Sequence, residues 1–368
     1  MIKRFYIFGN IGKLTELPKS GGQTSARRVI DGLRQSGFEV FPIVRHRAEL
    51  EGKFAHLVEV LTFAWIDLFK IIGNVMFQKR SQTAFFHLTF SGTLVPYELI
   101  ISYVLKVLGI RRIMYLQGGQ FMDAYTQGSP FMRWMFKKNV DLQEIVFFEG
   151  LEGMELVRGI TTTRCIYFPG YAFEKDIVKV VPVKNIETIN LCYFGRIGPM
   201  KNVHIVVEIF NMLCKKGVNA HLTIIGGAGQ SKDYVTKVDH LIKTSPYYAQ
   251  ISRYGLSPFS FIKETLRTQH FYIFPTHERC EGHSNALTEC MSQGVIPIVS
   301  DYHFNKSVVG NDILVVDGYN PKDYADRIAH IIENYDMQKL ATEMRQRVVD
   351  HFSYEVVNTR ICNELRSL

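Results

Sequence analysis

No Asp-x-Asp occurs anywhere in the 368 residues, and no two cysteines stand at Cys-x-x-Cys spacing. No Gly-x-Gly-x-x-Gly follows the first apolar run either. Each absence removes a class of function. Without Asp-x-Asp there is no ready carboxylate pair for a nucleotide-bound divalent cation, so no metal is expected. The six cysteines (Cys165, Cys192, Cys214, Cys280, Cys290, Cys362) are scattered, most of them within apolar runs such as Leu191-Cys192-Tyr193-Phe194. There a thiol behaves as a small hydrophobe, which points to a reducing compartment rather than a disulfide framework. The twelve histidines form no cluster at metal-ligand spacing. The missing glycine fingerprint weighs against a dinucleotide oxidoreductase. No zinc-finger or RNP signature is present, so nucleic acid is not an expected partner. Long apolar runs are also lacking: the windows 61–77 and 94–110 are broken by Asp67 and Lys70, and by Glu98 and Lys106. Neither reads as a membrane span. The apolar stretch at Met1–Gly9 is too short for a signal peptide and reads as a first strand. A cytoplasmic location is expected, with peripheral attachment to the inner face of the cytoplasmic membrane as its variant.

What is present is the composition of a folded protein, 46% hydrophobic and 21% charged, in a chain long enough for two cores. The net charge of +8 is unevenly spread. Residues 1–180 carry 23 Lys and Arg against 16 Asp and Glu, while residues 181–368 carry 20 against 19. A basic first half suits an anionic partner such as lipid or a phosphorylated substrate; a basic pI without functional meaning is the alternative.

Short apolar runs alternate with longer amphipathic ones, the pattern of an α/β fold with parallel sheets covered by helices. Strands are expected at 3–8, 38–44, 84–88, 112–116, 144–148 and 164–168. A helix is expected at 23–36, stopped by Gly37. The pattern lapses at 172–188, an expected linker, and restarts with strands near 189–194, 221–226, 249–254, 271–275 and 295–299. Helices are expected near 201–216, 232–244, 258–268 and 284–293, then at 321–334, 337–350 and 354–366. This gives a first doubly wound domain at 1–171 and a second at 189–350, with a closing helix in 351–368 returning toward the first. Ligands of such domains sit at the carboxyl ends of the strands.

Two junctions carry chemistry. Gly195-Arg196-Ile197-Gly198-Pro199-Met200-Lys201-Asn202 turns from a strand into a helix with two cations five residues apart. Both can meet one anion, aided by the helix N-terminus, which suits a diphosphate; a basic turn facing solvent is the plain alternative. In the second, Pro275 ends a strand, a loop carries Glu281, Ser284 is a plausible N-cap, and Glu289 lies on the helix that Gly294 stops. Carboxylates there can accept hydrogen bonds from sugar or ribose hydroxyls.

Glu281 and Glu289 with Gly282 and Gly294 resemble the E-x7-E signature of retaining glycosyltransferases of family 4. The turn at 195–201 resembles that family's Gly-Arg-Leu-x-x-x-Lys diphosphate loop, Gly21-Gly22 its Gly-Gly loop, and Leu222 to Gly227 its second C-domain strand and turn. The likeness is strong over 189–350 and weak over 45–170. It implies a GT-B fold, two Rossmann-like domains facing across a cleft, and metal-independent transfer of a hexose or N-acetylhexosamine from a nucleotide diphosphate-sugar, UDP ahead of GDP. By the same resemblance Arg196 and Lys201 bind the diphosphate and stabilise its growing charge, and Glu281 contacts the donor sugar. Glu289 contacts the ribose, and Gly195 belongs to the same donor turn. The backbone of Ser284, Asn285 and Ala286, with Leu287 beside them, holds the distal phosphate; Gly255 and Leu256, after Tyr254, lie where the base sits. Gly22 lets backbone approach the phosphates. Two departures stand out. Gln117-Gly118 replaces a His-Gly common on the acceptor side, and His283 replaces an aromatic residue, either to touch the sugar or to shape the loop.

The acceptor is expected in the first domain. Stretches 61–77 and 131–138 mix aromatic and basic residues, as interfacial helices do, although core-facing helices fit them too. With the basic half, a lipid-linked glycan acceptor is favoured, as in polysaccharide or glycolipid assembly. A nucleotide-sugar 2-epimerase and an inert glycosyltransferase-like partner subunit are the alternatives.

Overall fold

The computed structural model describes residues 2–16, 20–46, 53–92, 94–228 and 231–368. It divides into two compact units, Met1–Pro169 with Val357–Leu368, and Gly170–Val356.

The first unit contains β1 (Arg4–Gly9), α1 (Gly21–Gln35), β2 (Glu39–Val44), α2 (Lys53–Val75) and β3 (Thr83–Thr89). It continues with α3 (Val95–Val107), β4 (Arg111–Leu116), α4 (Gln120–Gln127), α5 (Pro130–Asp141), β5 (Ile145–Phe148), α6 (Leu151–Arg158) and β6 (Arg164–Tyr167). All neighbouring strands are parallel, in the order β2-β1-β3-β4-β5-β6. Every residue of β3 and of β5 is buried, as expected where helices cover both faces of a parallel sheet.

The second unit contains β7 (Ile189–Phe194), α7 (Val203–Lys215), β8 (Ala220–Ile225), α8 (Lys232–Thr244), β9 (Ile251–Tyr254), α9 (Phe259–Leu266) and β10 (Phe271–Phe274). Then come α10 (Asn285–Ser292), β11 (Ile296–Ser300), α11 (Asn305–Val309), β12 (Val315–Val316), α12 (Pro321–Asn334) and α13 (Met337–His351). Its sheet runs β12-β11-β10-β7-β8-β9, again parallel, the strand order of a dinucleotide-type doubly wound fold. The last helix, α14 (Tyr354–Arg366), belongs from Val357 onward to the first unit, where Asn358 Nδ2 donates to Ser36 Oγ at 2.7 Å.

One local device ends four of these helices. α1, α3, α7 and α10 are followed by Gly37, Gly109, Gly217 and Gly294, all at positive φ. The next residue then donates its N–H five residues back: Phe38 to Leu33, Ile110 to Leu105, Val218 to Leu213, Val295 to Cys290, at 2.9–3.1 Å. A left-handed residue without Cβ strain reverses the chain and feeds an apolar residue toward the next strand.

Three sequence expectations need adjustment. Gly21 and Gly22 form the first turn of α1 rather than a loop before it, because Ser20 is the N-cap and its hydroxyl accepts from the Gln23 amide. The segment 172–188 packs on the second unit: the Val178 amide donates to the Ser292 carbonyl, Lys184 Nζ to Gly294 O, and Arg345 Nε to Val178 O. The helix expected from residue 201 starts at Val203, because Asn202 takes a left-handed conformation (φ 52°) after a 3-10 turn over Pro199–Lys201.

Candidate functional site

In the second unit the switch point of the strand order lies between β7 and β10, since β8 lies on the other side of β7. Loops leaving neighbouring strands in opposite directions open a crevice there. The basic turn follows β7 and the acidic loop follows β10, so this topology brings the two sequence motifs together.

The turn is stitched to its surroundings by backbone. Gly195 has φ 142°, and its carbonyl lies where a Cβ on Gly226 would be, 1.9 Å away. A side chain at Gly226 would push the β7 and β8 ends apart. The Ile197 amide donates to Gly227 O, and the Tyr193 hydroxyl to the Arg196 carbonyl at 2.8 Å. Asn202, buried and left-handed, donates from Nδ2 to Pro275 O and contacts His277 Nδ1, both at 2.8 Å. The His277 amide returns a bond to Met200 O at 2.9 Å.

Two acid–base pairs result. Arg196 Nη2 contacts Glu278 Oε2 at 2.6 Å, with the Arg196 side chain half exposed. Lys201 Nζ contacts Glu281 Oε2 directly, and both side chains are only 12% exposed. Nζ also sits 5.1 Å from the centre of the Phe274 ring, a cation–π arrangement. Burial pushes the Lys201 ammonium down to about 7; Glu278 opposes this and Arg196 adds to it. The touching Glu281 carboxylate also favours the charged form.

Glu281 lies in the loop and Glu289 on α10, both half-buried. Ser284 occupies the N-cap position, but its side chain makes no capping bond. The first-turn amides of a helix have no intrahelical acceptor, so this end is suited to an anion. Asn285 and Ala286 are half-buried there, whereas Leu287 is fully buried and belongs to the core. His283 is buried: Nε2 lies 2.5 Å from Thr288 Oγ1 and its ring packs edge-on against Phe352 at 4.7 Å. Those contacts tie it to α10 and to the residue that follows α13. At the end of β9, Tyr254 and Gly255 lead to Leu256, which is 91% exposed. Leu256 Cβ lies 3.4 Å from where a Cβ on Gly227 would stand, next to the turn.

In the first unit, Gln117 is buried and donates from Nε2 to Ser25 Oγ at 3.3 Å. Gly118, at φ 67°, donates its amide to Glu149 Oε2 at 2.9 Å. Glu149 Oε1 also accepts from Ser25 Oγ at 3.1 Å and Tyr115 OH at 3.4 Å. Gly22 faces Phe90, whose ring would meet a Cβ there at 3.2 Å.

Sequence reasoning missed Glu278, Asn202, His277 and Glu149. Glu278 and His277 lie within the loop already singled out, but only the fold shows them facing the β7 turn. Glu149 gave one faint signal, a charge closing the all-apolar run Ile145–Phe148.

Residues 175–349 match the family model of glycosyl transferases group 1. A curated relative is the capsular polysaccharide biosynthesis glycosyltransferase CapM of Staphylococcus aureus, 24% identical over 168 residues. That alignment takes in 45% of this chain and 42% of CapM, so the chain spans under half the length of that relative. Among solved structures, sucrose-phosphate synthase from Thermosynechococcus elongatus superposes with a TM-score of 0.76 at 14% identity, covering 99% of this chain and 98% of that one. HepE of Anabaena, in complex with UDP and glucose, gives 0.70 at 11% identity over the whole of both chains. At such identities the likeness is one of fold. The chain has the GT-B fold, and its second unit carries the glycosyl transferases group 1 match.

Proposed function

We propose that this chain is a retaining glycosyltransferase of the E-x7-E type, moving a hexose or N-acetylhexosamine from UDP-sugar to a glycan acceptor. The observation that carries the reading is the meeting of Arg196 and Lys201 with Glu278 and Glu281 at the switch point of the second sheet. As the sugar leaves, the C1–O bond breaks and its electron pair stays on the diphosphate. Arg196 and Lys201 stand where they can take up that charge, a fixed electrostatic contribution that needs no divalent cation. Glu281 receives the donor sugar's hydroxyls and Glu289 the ribose hydroxyls. The α10 backbone at Ser284–Ala286 holds the distal phosphate, and Leu256 lies against the base. His283 acts through the loop. Gln117 and Gly118, held by Ser25 and Glu149, line the acceptor side.

CapM is described as a capsular polysaccharide enzyme and HepE was solved with UDP, which supports a UDP-sugar donor and a polysaccharide acceptor. A lipid-linked acceptor and a peripheral place on an anionic membrane complete the proposal. Neither the epimerase nor the inert-subunit alternative gains support from these likenesses.

The test is a thermal-shift screen of UDP, GDP and ADP, then donor hydrolysis followed by NMR of the anomeric product in excess EDTA. UDP should stabilise the protein most, and the sugar should be released with its configuration retained, at full rate. Inversion, or loss on chelation with recovery in magnesium or manganese, contradicts the proposal.

A further inference from the structure

The chain has two tryptophans, Trp65 and Trp134, and both are exposed, at 58% and 55%. Each stands beside a second exposed aromatic ring, so neither is a singly scattered apolar residue. Trp65 lies on α2 beside Phe69, ring centres 6.4 Å apart, and Trp134 lies on α5 stacked on Phe131 at 5.9 Å. Between them in the sheet connections comes α3, which exposes Tyr103 and Val107. The chain places these three helices on one face. The steps β2 to β3, β3 to β4 and β4 to β5 all move the same way along the sheet, whereas β1 to β2 moves the other way. Right-handed crossovers therefore put α2, α3 and α5 together and α1 opposite. α3 packs against both α2 and α5.

The charges on these helices are sorted as well. From Val60 onward in α2, and along α3 and α5, the acidic residues are Asp67, Glu98 and Asp141. Asp67 and Glu98 are buried, at 2% and 1% exposure, and Asp141 is tied to Lys137 and Thr161. The basic residues Lys70, Lys106, Arg133, Lys137 and Lys138 are all exposed. From Val60 onward the outer face is therefore aromatic and basic: two of its three acids are turned inward, and the third, the exposed Asp141, is paired with Lys137. Among the described residues, no helix is long and apolar enough to cross a membrane. Aromatic side chains with one apolar body and one polar tip, ringed by Lys and Arg, suit the headgroup region of a bilayer.

We propose that the α2–α3–α5 face of the first unit docks on an anionic lipid bilayer, its aromatic residues entering the interface and its lysines and arginine meeting the headgroups. The inference names the membrane partner of the glycosyl-transfer reading and rests on that reading only for the reason to be there.

The two tryptophans make the test label-free, because all the intrinsic indole emission comes from this face. Full-length protein is mixed with phosphatidylcholine vesicles with or without phosphatidylglycerol, including vesicles with brominated acyl chains. On anionic vesicles at low salt the emission shifts to the blue and the bromines quench it; on neutral vesicles both effects shrink. Raising ionic strength weakens binding, as the Debye length falls to about 10 Å at 0.1 M. The triple variant Arg133→Ser, Lys137→Ser, Lys138→Ser partitions more than tenfold less, each surface charge contributing roughly fivefold, while its hydrolysis of soluble donor is unchanged. Trp134→Phe retains the blue shift and the quenching through Trp65. No shift and no quenching on anionic vesicles at low salt overturns the proposal. So does a blue shift that grows with protein concentration in the absence of vesicles, which assigns the face to a second copy of the chain. Donor hydrolysis is read separately in solution, so failure of the glycosyltransferase reading and failure of docking are distinguishable.

Discussion

Arg196, on the turn after β7, and Glu278, on the loop after β10, are 82 residues apart in sequence and 2.6 Å apart in space. On the proposed function, a donor diphosphate would take the place of Glu278 as the anionic partner of Arg196. Arg196 is the more exposed partner and the one free to change acceptors.

If Arg196 holds the donor diphosphate as proposed, Glu278 competes with the donor. Glu278→Gln removes a charge without removing the side chain, and it should tighten binding of free UDP severalfold in calorimetry, most at low salt. An exposed pair of this kind contributes roughly 0.2–1 kcal/mol, which sets the scale. Weaker binding would show instead that Glu278 orients Arg196 for the nucleotide.

If Lys201 holds the donor diphosphate as proposed, donor binding depends on pH. Burial disfavours the charge on Lys201 and pushes its ammonium down to about 7. An arriving diphosphate favours the charged form, so above that value binding takes up a proton and affinity falls as pH rises. Calorimetry of UDP at pH 8, in buffers of different ionisation heat, should show net proton uptake. Lys201→Gln should abolish it. Binding heats that do not depend on buffer contradict this account.

The two E-x7-E carboxylates should separate. Glu289→Ala is expected to weaken binding of UDP alone, by about 1–3 kcal/mol for charge-assisted hydrogen bonds. Glu281→Ala should leave UDP affinity near normal while depressing transfer. The reverse order in calorimetry would mean that their roles are exchanged.

Much of this fold was legible because parallel strands are short, fully apolar runs with clear stops. β7 at 189–194 and the helices at 232–244, 321–334 and 354–366 lie where periodicity put them. The α3 helix was not read, because it exposes Ile100, Tyr103 and Val107 and so lacks the polar stripe that marks a surface helix. The segment 172–188 looked like a linker because its order comes from isolated hydrogen bonds, one from backbone to α10 and one from the Arg345 side chain of α13, which leave no periodic trace. In the site, Arg196, Lys201, Glu281 and Glu289 stood out as motif residues, but their pairing did not. Which cation meets which carboxylate depends on β7 and β10 being neighbours, a relation between residues about eighty positions apart.

The central claim is that the β7 turn holds and stabilises the donor diphosphate. The most direct measurement is turnover of UDP-sugar by Lys201→Ala and Arg196→Ala, each checked for an unchanged thermal transition. Loss of one charge-stabilising donor should cost about 3–4 kcal/mol of barrier, a fall of two to three orders of magnitude in kcat. Near-normal turnover in both folded variants would contradict it.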